Sequence, residues 1–138
     1  MRYLGLDLGS RTLGVAISDK NGILARSLEI IRHNEDYDGL VPKVKDLVDD
    51  YQVDAIVLGY PKNMDNSIGE KAHLSERFKD MLEKEIGIPV YLQDERLSTK
   101  EATDLLIHND TSRKKRKKVI DSMAACIILE TYLNRKGK

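Results

Sequence analysis

Three acidic positions in this chain carry the type and placement that chemistry on a phosphodiester would need. Asp7 interrupts the apolar stretch Tyr3-Leu4-Gly5-Leu6-Asp7-Leu8 just before Gly9. Asp94 and Glu95 close a second apolar stretch that starts at Pro89. Asp121 falls in the first turn of a C-terminal apolar segment, where Ala124 and Ala125 allow close packing behind it. In an open α/β sheet, ligands gather beyond the carboxyl ends of the strands, so Asp7 and the Asp94-Glu95 pair can converge there. A helix packed across the sheet would deliver Asp121. Converging carboxylates repel one another unless cations hold them together, and an oxygen-only set favours Mg²⁺ or Mn²⁺. Two such ions can activate a water and stabilise the leaving oxygen of a phosphodiester.

Each acid also has a structural role available to it. An aspartate beside a glycine turn can accept backbone hydrogen bonds. Asp94 or Glu95 can pair with Arg96 at the surface, a contact worth about 0–1 kcal/mol. Asp121 can complement the positive end of a helix dipole, worth about 0.3–1 kcal/mol. The case for a site rests on joint placement, not on any one residue.

Candidate phosphate contacts surround the acids. In Asp7-Leu8-Gly9-Ser10-Arg11-Thr12-Leu13-Gly14, the glycines let backbone approach a phosphate and Arg11 can touch it. A similar Asp-x-Gly turn occurs in nucleotide-binding proteins of the actin, hexokinase and Hsp70 group. Those proteins hold ATP between two lobes, and 138 residues provide one. The loop Gly59 to Ser67 offers amides and Lys62. The run Arg113-Lys114-Lys115-Arg116-Lys117-Lys118 can clamp a nucleic-acid backbone without reading its sequence. Six Tyr and one Phe are too few to make base stacking the main grip. His33, His73 and His108 lack metal-ligand spacing and receive no role. Cys126 falls in an apolar helical stripe and reads as core.

The elements that must position these residues follow from pattern. Strands are expected at Tyr3–Leu8, Leu13–Ser18 and Ile23–Ile31, the last two joined by an Asn21-Gly22 hairpin turn. Leu40, Val44, Leu47, Val48 and Tyr51 recur at helical spacing. Ala55–Leu58 and Pro89–Leu92 are short continuous apolar runs, as in strands buried on both faces. Ser67-Ile68-Gly69-Glu70 and Ser98-Thr99-Lys100-Glu101 have capping-box spacing and open helices, the second running to about Ile107. A polar loop and the basic run lead into a last helix at about Val119–Asn134. The order is βββαβαβαα, an α/β layer structure in a single domain over residues 1–138.

Composition narrows the class. Hydrophobic residues make up 41% and charged residues 33%, the profile of a folded, highly charged protein. A lone cysteine excludes an internal disulfide and a cysteine-based zinc cluster. The longest wholly apolar run, Met123–Leu129, is seven residues, far below a membrane span. With no signal-peptide pattern, a cytoplasmic protein without membrane contact is expected. Net charge is zero, yet residues 113–138 hold nine Lys or Arg and two acids while residues 1–112 hold fourteen against twenty-one. The molecule is dipolar, with its positive pole next to Asp121.

Four segments, taken in order, resemble the YqgF/RuvX family, whose members are described as pre-16S rRNA nucleases or Holliday junction resolvases. They are Leu6-Asp7-Leu8-Gly9 with Gly14-Val15-Ala16, Gly59-Tyr60-Pro61, Asp94-Glu95-Arg96-Leu97-Ser98-Thr99, and Ile120-Asp121-Ser122-Met123-Ala124-Ala125. The resemblance spans nearly the whole chain. It implies a ribonuclease H-like fold, a five-stranded mixed sheet flanked by helices with its first three strands antiparallel. It also implies an acidic triad, carried here by Asp7, Glu95 and Asp121 with Asp94 in reserve. One departure is Asn66, where many relatives have glycine, and asparagine also tolerates a positive φ.

The expectation is therefore a Mg²⁺- or Mn²⁺-dependent endonuclease acting on structured nucleic acid, with pre-16S rRNA 5′-end processing ahead of DNA-junction resolution. Arg11, Lys62, Arg96 and residues 113–118 would position the backbone. A junction resolvase must cut two symmetric strands and so requires a two-fold dimer; RNA processing admits a monomer. Two rivals come from other classes. One is a nucleic-acid-binding domain that no longer cuts, a ribosome-assembly or transcription factor. The other is a single nucleotide-binding lobe that uses the Asp7 turn for ATP.

Overall fold

A computed structural model describes residues 1–9, 11–61, 69–94 and 113–136, with side chains in the last segment described from 123 to 135. Five strands form one sheet in the order β3-β2-β1-β4-β5. β1 (Tyr3–Leu8), β2 (Thr12–Ser18) and β3 (Ala25–Arg32) are joined antiparallel, while β4 (Ala55–Tyr60) and β5 (Val90–Asp94) run parallel to β1. Helices α1 (Tyr37–Tyr51), α2 (Glu70–Ile86) and α3 (Arg113–Lys136) complete the described elements. The expected helix near 98–107 lies outside the described residues.

Strand alternation divides the sheet into two apolar faces. Leu4 and Leu6, Ile56 and Leu58, and Val90 point to one side and pack with Leu40, Val44, Phe78 and Leu82 of α1 and α2. Tyr3, Ala55 and Val57 point to the other and pack with Ala125, Ile128, Leu129 and Leu133 of α3. β4 is buried along its whole length, as its unbroken apolar run requires.

Several boundaries differ from expectation, each for a local reason. β3 starts at Ala25, leaving Ile23 and Leu24 exposed, because the Asp19 carboxylate takes their amides at 2.8 and 3.2 Å. Those amides are lost to the ladder, and the connection runs over residues 19–24 where a turn over 19–22 is expected. α1 starts at Tyr37, where Asp36 caps it through the Gly39 amide at 3.1 Å. Gly59 and Tyr60 belong to β4 and not to the loop. α2 is capped by Gly69, so Glu70 is its first residue and not the third of a capping box. β5 extends through Asp94, which pairs with Tyr60. α3 already includes Arg113, so the basic run is helical and not a lead-in loop; lysine and arginine have high helix propensity, which offsets their unfavourable position towards the positive end of the helix dipole.

Candidate active site

β1, β4 and β5 reach the same end of the sheet, and of the candidate acids Asp7 and Asp94 lie there among the described residues. Asp7 is half-buried and stands opposite Gly14 of β2. In the β1–β4–β5 register, Leu6 pairs with Leu58 and Leu58 with Leu92. One step on, Asp7 lies level with Gly59, which pairs with Gln93. Asp7 alternates with Leu6 and shares its face with Tyr3 and Gly5, the face that α3 covers. Glycines on both neighbouring strands leave room around the carboxylate that side chains would fill.

α3 crosses this face antiparallel to β1. Tyr132 meets the Tyr3 ring at 5.7 Å between centroids. Farther up the strand, Gly5 is so close to the helix that a Cβ there would stand 2.8 Å from Leu129 Cβ and 3.0 Å from the Ala125 carbonyl oxygen. Two strand residues advance about 6.6 Å and four helical residues about 6 Å, so strand and helix keep step. Position 121 lies one helical turn before Ala125, on the stripe of 125 and 129. The side chain of Asp121 lies outside the described residues.

Asp94 continues the alternation of Val90 and Leu92, which belong to the α1 and α2 side. It therefore occupies the face opposite Asp7. Gln93, only 4% exposed, is the β5 residue on the Asp7 face, and its amide donates to the Asp94 carbonyl at 3.2 Å. Glu95, Arg96 and Lys62 lie outside the described residues, as do the side chains of 113–118. Arg11 is exposed in the turn between β1 and β2. That turn is closed by the Gly9 amide donating to the Thr12 carbonyl at 2.8 Å. Among the described residues no three His, Cys, Asp or Glu side chains come together as a metal-binding group. Asp7 alone of the three expected ligands has a described side chain.

Two features escaped the sequence reading. The Tyr60 hydroxyl donates to the Glu76 carboxylate of α2, which ties the end of β4 to that helix and raises the phenol's pKa through this bond. His33, given no role, is buried against the β1–β2 turn with Nε2 3.0 Å from the Gly9 carbonyl oxygen. No spacing in the sequence signals this, because the contact joins residues 24 positions apart. Cys126 packs at the edge of the α3-side core as expected, and burial, with Glu130 nearby, pushes its thiol up to about 11.

A family model described as "RuvX: Holliday junction resolvase" matches residues 1–135. The chain belongs to the RuvX family. A protein of Geobacillus sp. strain WCH70, named "Putative pre-16S rRNA nuclease", is 50% identical over 137 residues, covering 99% of each chain. A relative of the same name from Lacticaseibacillus casei is 52% identical over 139 residues, covering 99% of this chain and 96% of that one. Among solved structures, Thermus thermophilus RuvC with a Holliday junction substrate matches with a TM-score of 0.60 at 16% identity, covering 99% and 96% of the two chains. The fowlpox virus Holliday junction resolvase matches with a TM-score of 0.55 at 16% identity, covering 98% and 99%. These likenesses show the fold of this RuvX-family chain, the ribonuclease H-like α/β arrangement expected from its motifs. No helix among its described residues is long and apolar enough to cross a membrane.

Proposed function

We propose that this protein is a divalent-metal-dependent endonuclease for structured nucleic acid, in one domain over residues 1–138, and that it processes the 5′ end of pre-16S rRNA. The observation that carries the reading is the position of Asp7. It stands at the end of the central strand, among glycines, on the face that α3, the helix carrying Asp121, covers. Support for the substrate comes from full-length relatives at about half identity that bear the pre-16S rRNA name. Such a substrate would be met during ribosome assembly, in the cytoplasm.

The residues fit a hard divalent cation. Asp7, Glu95 and Asp121 supply only oxygen donors, and the glycines around Asp7 leave space for an ion and its waters. We assign Glu95 the second place because Asp94 faces α1 and α2 while Asp7 faces α3. Bound Mg²⁺ or Mn²⁺ would supply water activation and charge stabilisation at the leaving oxygen. The chain's own part is to hold and orient: Arg11, Lys62, Arg96 and residues 113–118 position the phosphate backbone.

The family description and the RuvC-like fold favour a second reading, resolution of four-way DNA junctions by a two-fold dimer. A monomer or a dimer in solution separates the two. The decisive experiment incubates wild type and Asp7→Asn with Mg²⁺ or Mn²⁺ and labelled pre-rRNA 5′ leader, single-stranded RNA, duplex DNA and a four-way junction. Metal-dependent cutting of the leader by wild type, absent in Asp7→Asn with fold and binding kept, is the expected result. Normal cutting by Asp7→Asn removes the site assignment. Binding without cutting on every substrate makes the protein a binding factor.

A further inference from the structure

We propose that His33 is a positioning residue for substrate, fixing the Gly9 turn from which Arg11 is presented to the nucleic-acid backbone. The inference rests on the nuclease reading above and concerns a residue outside the acidic set. His33 follows the last residue of β3 and is 8% exposed. Its ring is held on both nitrogens. The Glu35 backbone amide donates to Nδ1 at 3.1 Å, which leaves Nδ1 without a proton. The ring proton is therefore on Nε2, which donates to the Gly9 carbonyl at 3.0 Å. The His33 backbone amide donates to the Arg11 carbonyl at 2.9 Å. One residue thus grips the turn on both sides of its tip, before and after the change of direction.

His33 is also packed from behind. Its ring packs against Tyr37 of α1 at 5.1 Å between centroids. Glu35 has a left-handed backbone, φ 63°, which is uncommon for a residue with a side chain. That conformation turns the chain from the imidazole contact into Asp36, the cap of α1. A Cβ on Gly9 would stand 3.1 Å from the Thr12 carbonyl oxygen, so the turn is already tight. What the imidazole adds is a fixed orientation for the peptide plane leaving Gly9, and with it for the exposed Arg11 two residues later.

Asp7 is held independently, by its ladder with β2. Loss of the His33–Gly9 bond should therefore weaken substrate binding and leave the chemical step intact. Ordering a loose side chain on binding costs up to about tenfold in affinity.

The test compares His33→Asn with His33→Gln. The asparagine amide matches Nδ1 in reach and has nothing at the Nε2 distance, so the Glu35 contact is kept and the Gly9 contact is lost. Glutamine places an N–H donor at the Nε2 distance. Melting temperature reports folding, fluorescence anisotropy gives Kd for the labelled leader RNA, and steady-state cleavage gives KM and kcat. His33→Asn should raise Kd and KM about five- to tenfold with kcat within about twofold, and His33→Gln should recover most of the loss. On an Arg11→Ala background, His33→Asn should cost less than about twofold, because the two act through one contact.

Wild-type affinity in His33→Asn, a fall in kcat with KM unchanged, or the same penalty with and without Arg11 overturns the proposal. Failure of His33→Gln to fold also overturns it, by making His33 a stability residue. Wild type that binds but does not cut removes the nuclease reading alone, since Kd still tests His33. Wild type that binds no nucleic acid removes both.

Discussion

Asp7 is a charge on a strand whose neighbours Leu4 and Leu6 are fully buried. Its surroundings offset the cost of that position: glycines stand beside it, and the strand end is open to solvent. The same contrast separates the two acids of β5. Asp94 belongs to the α1 and α2 side, so Asp94→Asn should keep cleavage within about tenfold of wild type, a loss of no more than about 1.4 kcal/mol of barrier. Glu95→Gln should fall to background under the same metal-dependent assay. The opposite ranking would move the second carboxylate to Asp94. In the sequence, Asp7 was legible because a lone charge in an apolar strand is anomalous. The choice between Asp94 and Glu95 was not, since it depends on which face Asp94 takes, and that follows from its pairing with Tyr60. His33 was illegible for a related reason: its partner, Gly9, is joined to it only by the folding of β3 beside β2.

α3 approaches β1 closely at Gly5, two residues before Asp7. Gly5 permits it, with the helix backbone and Leu129 filling the volume a side chain would take. Gly5→Ala should therefore overpack this seam at a cost of about 1–3 kcal/mol. In a chain of this size that is a fall of about 3–10 °C in Tm. Activity at temperatures where the variant is fully folded should drop as well, because the helix must shift against the strand carrying Asp7. A stable variant with full activity would show that the seam has slack. Apolar runs and helical spacing identified all eight described elements, since those patterns report burial directly. Boundaries were harder to read where a side chain intercepts the backbone. Asp19 delays β3 by capturing two amides, and Gly69 caps α2 although Ser67 and Glu70 have capping-box spacing. The seam itself left only a glycine in the sequence, which could equally have been a turn.

Across the whole molecule, zero net charge conceals a separation of seven positive from seven negative charges between residues 113–138 and 1–112. Nucleic-acid affinity should accordingly fall linearly in log–log terms as salt rises, with each neutralised phosphate adding about 0.7–0.9 to the slope. Replacing Lys114 and Lys117 together with alanine keeps good helix formers at both positions and should reduce that slope by about two. An unchanged slope would mean that the start of α3 does not touch the backbone. The sequence showed the asymmetry at once, because charge counting needs no fold. That the run is helical was not visible, as lysine and arginine suit loops and helices alike. One consequence of strand order reaches beyond binding. β1 is the middle strand of five, hydrogen-bonded on both edges and roofed on both faces. Edges and termini can open while the rest of a protein stays closed, but a middle strand opens only when the whole sheet does. The aspartate it carries thus stays in place for as long as the sheet does, so any activity lost on heating before the sheet melts is lost at the other residues of the site.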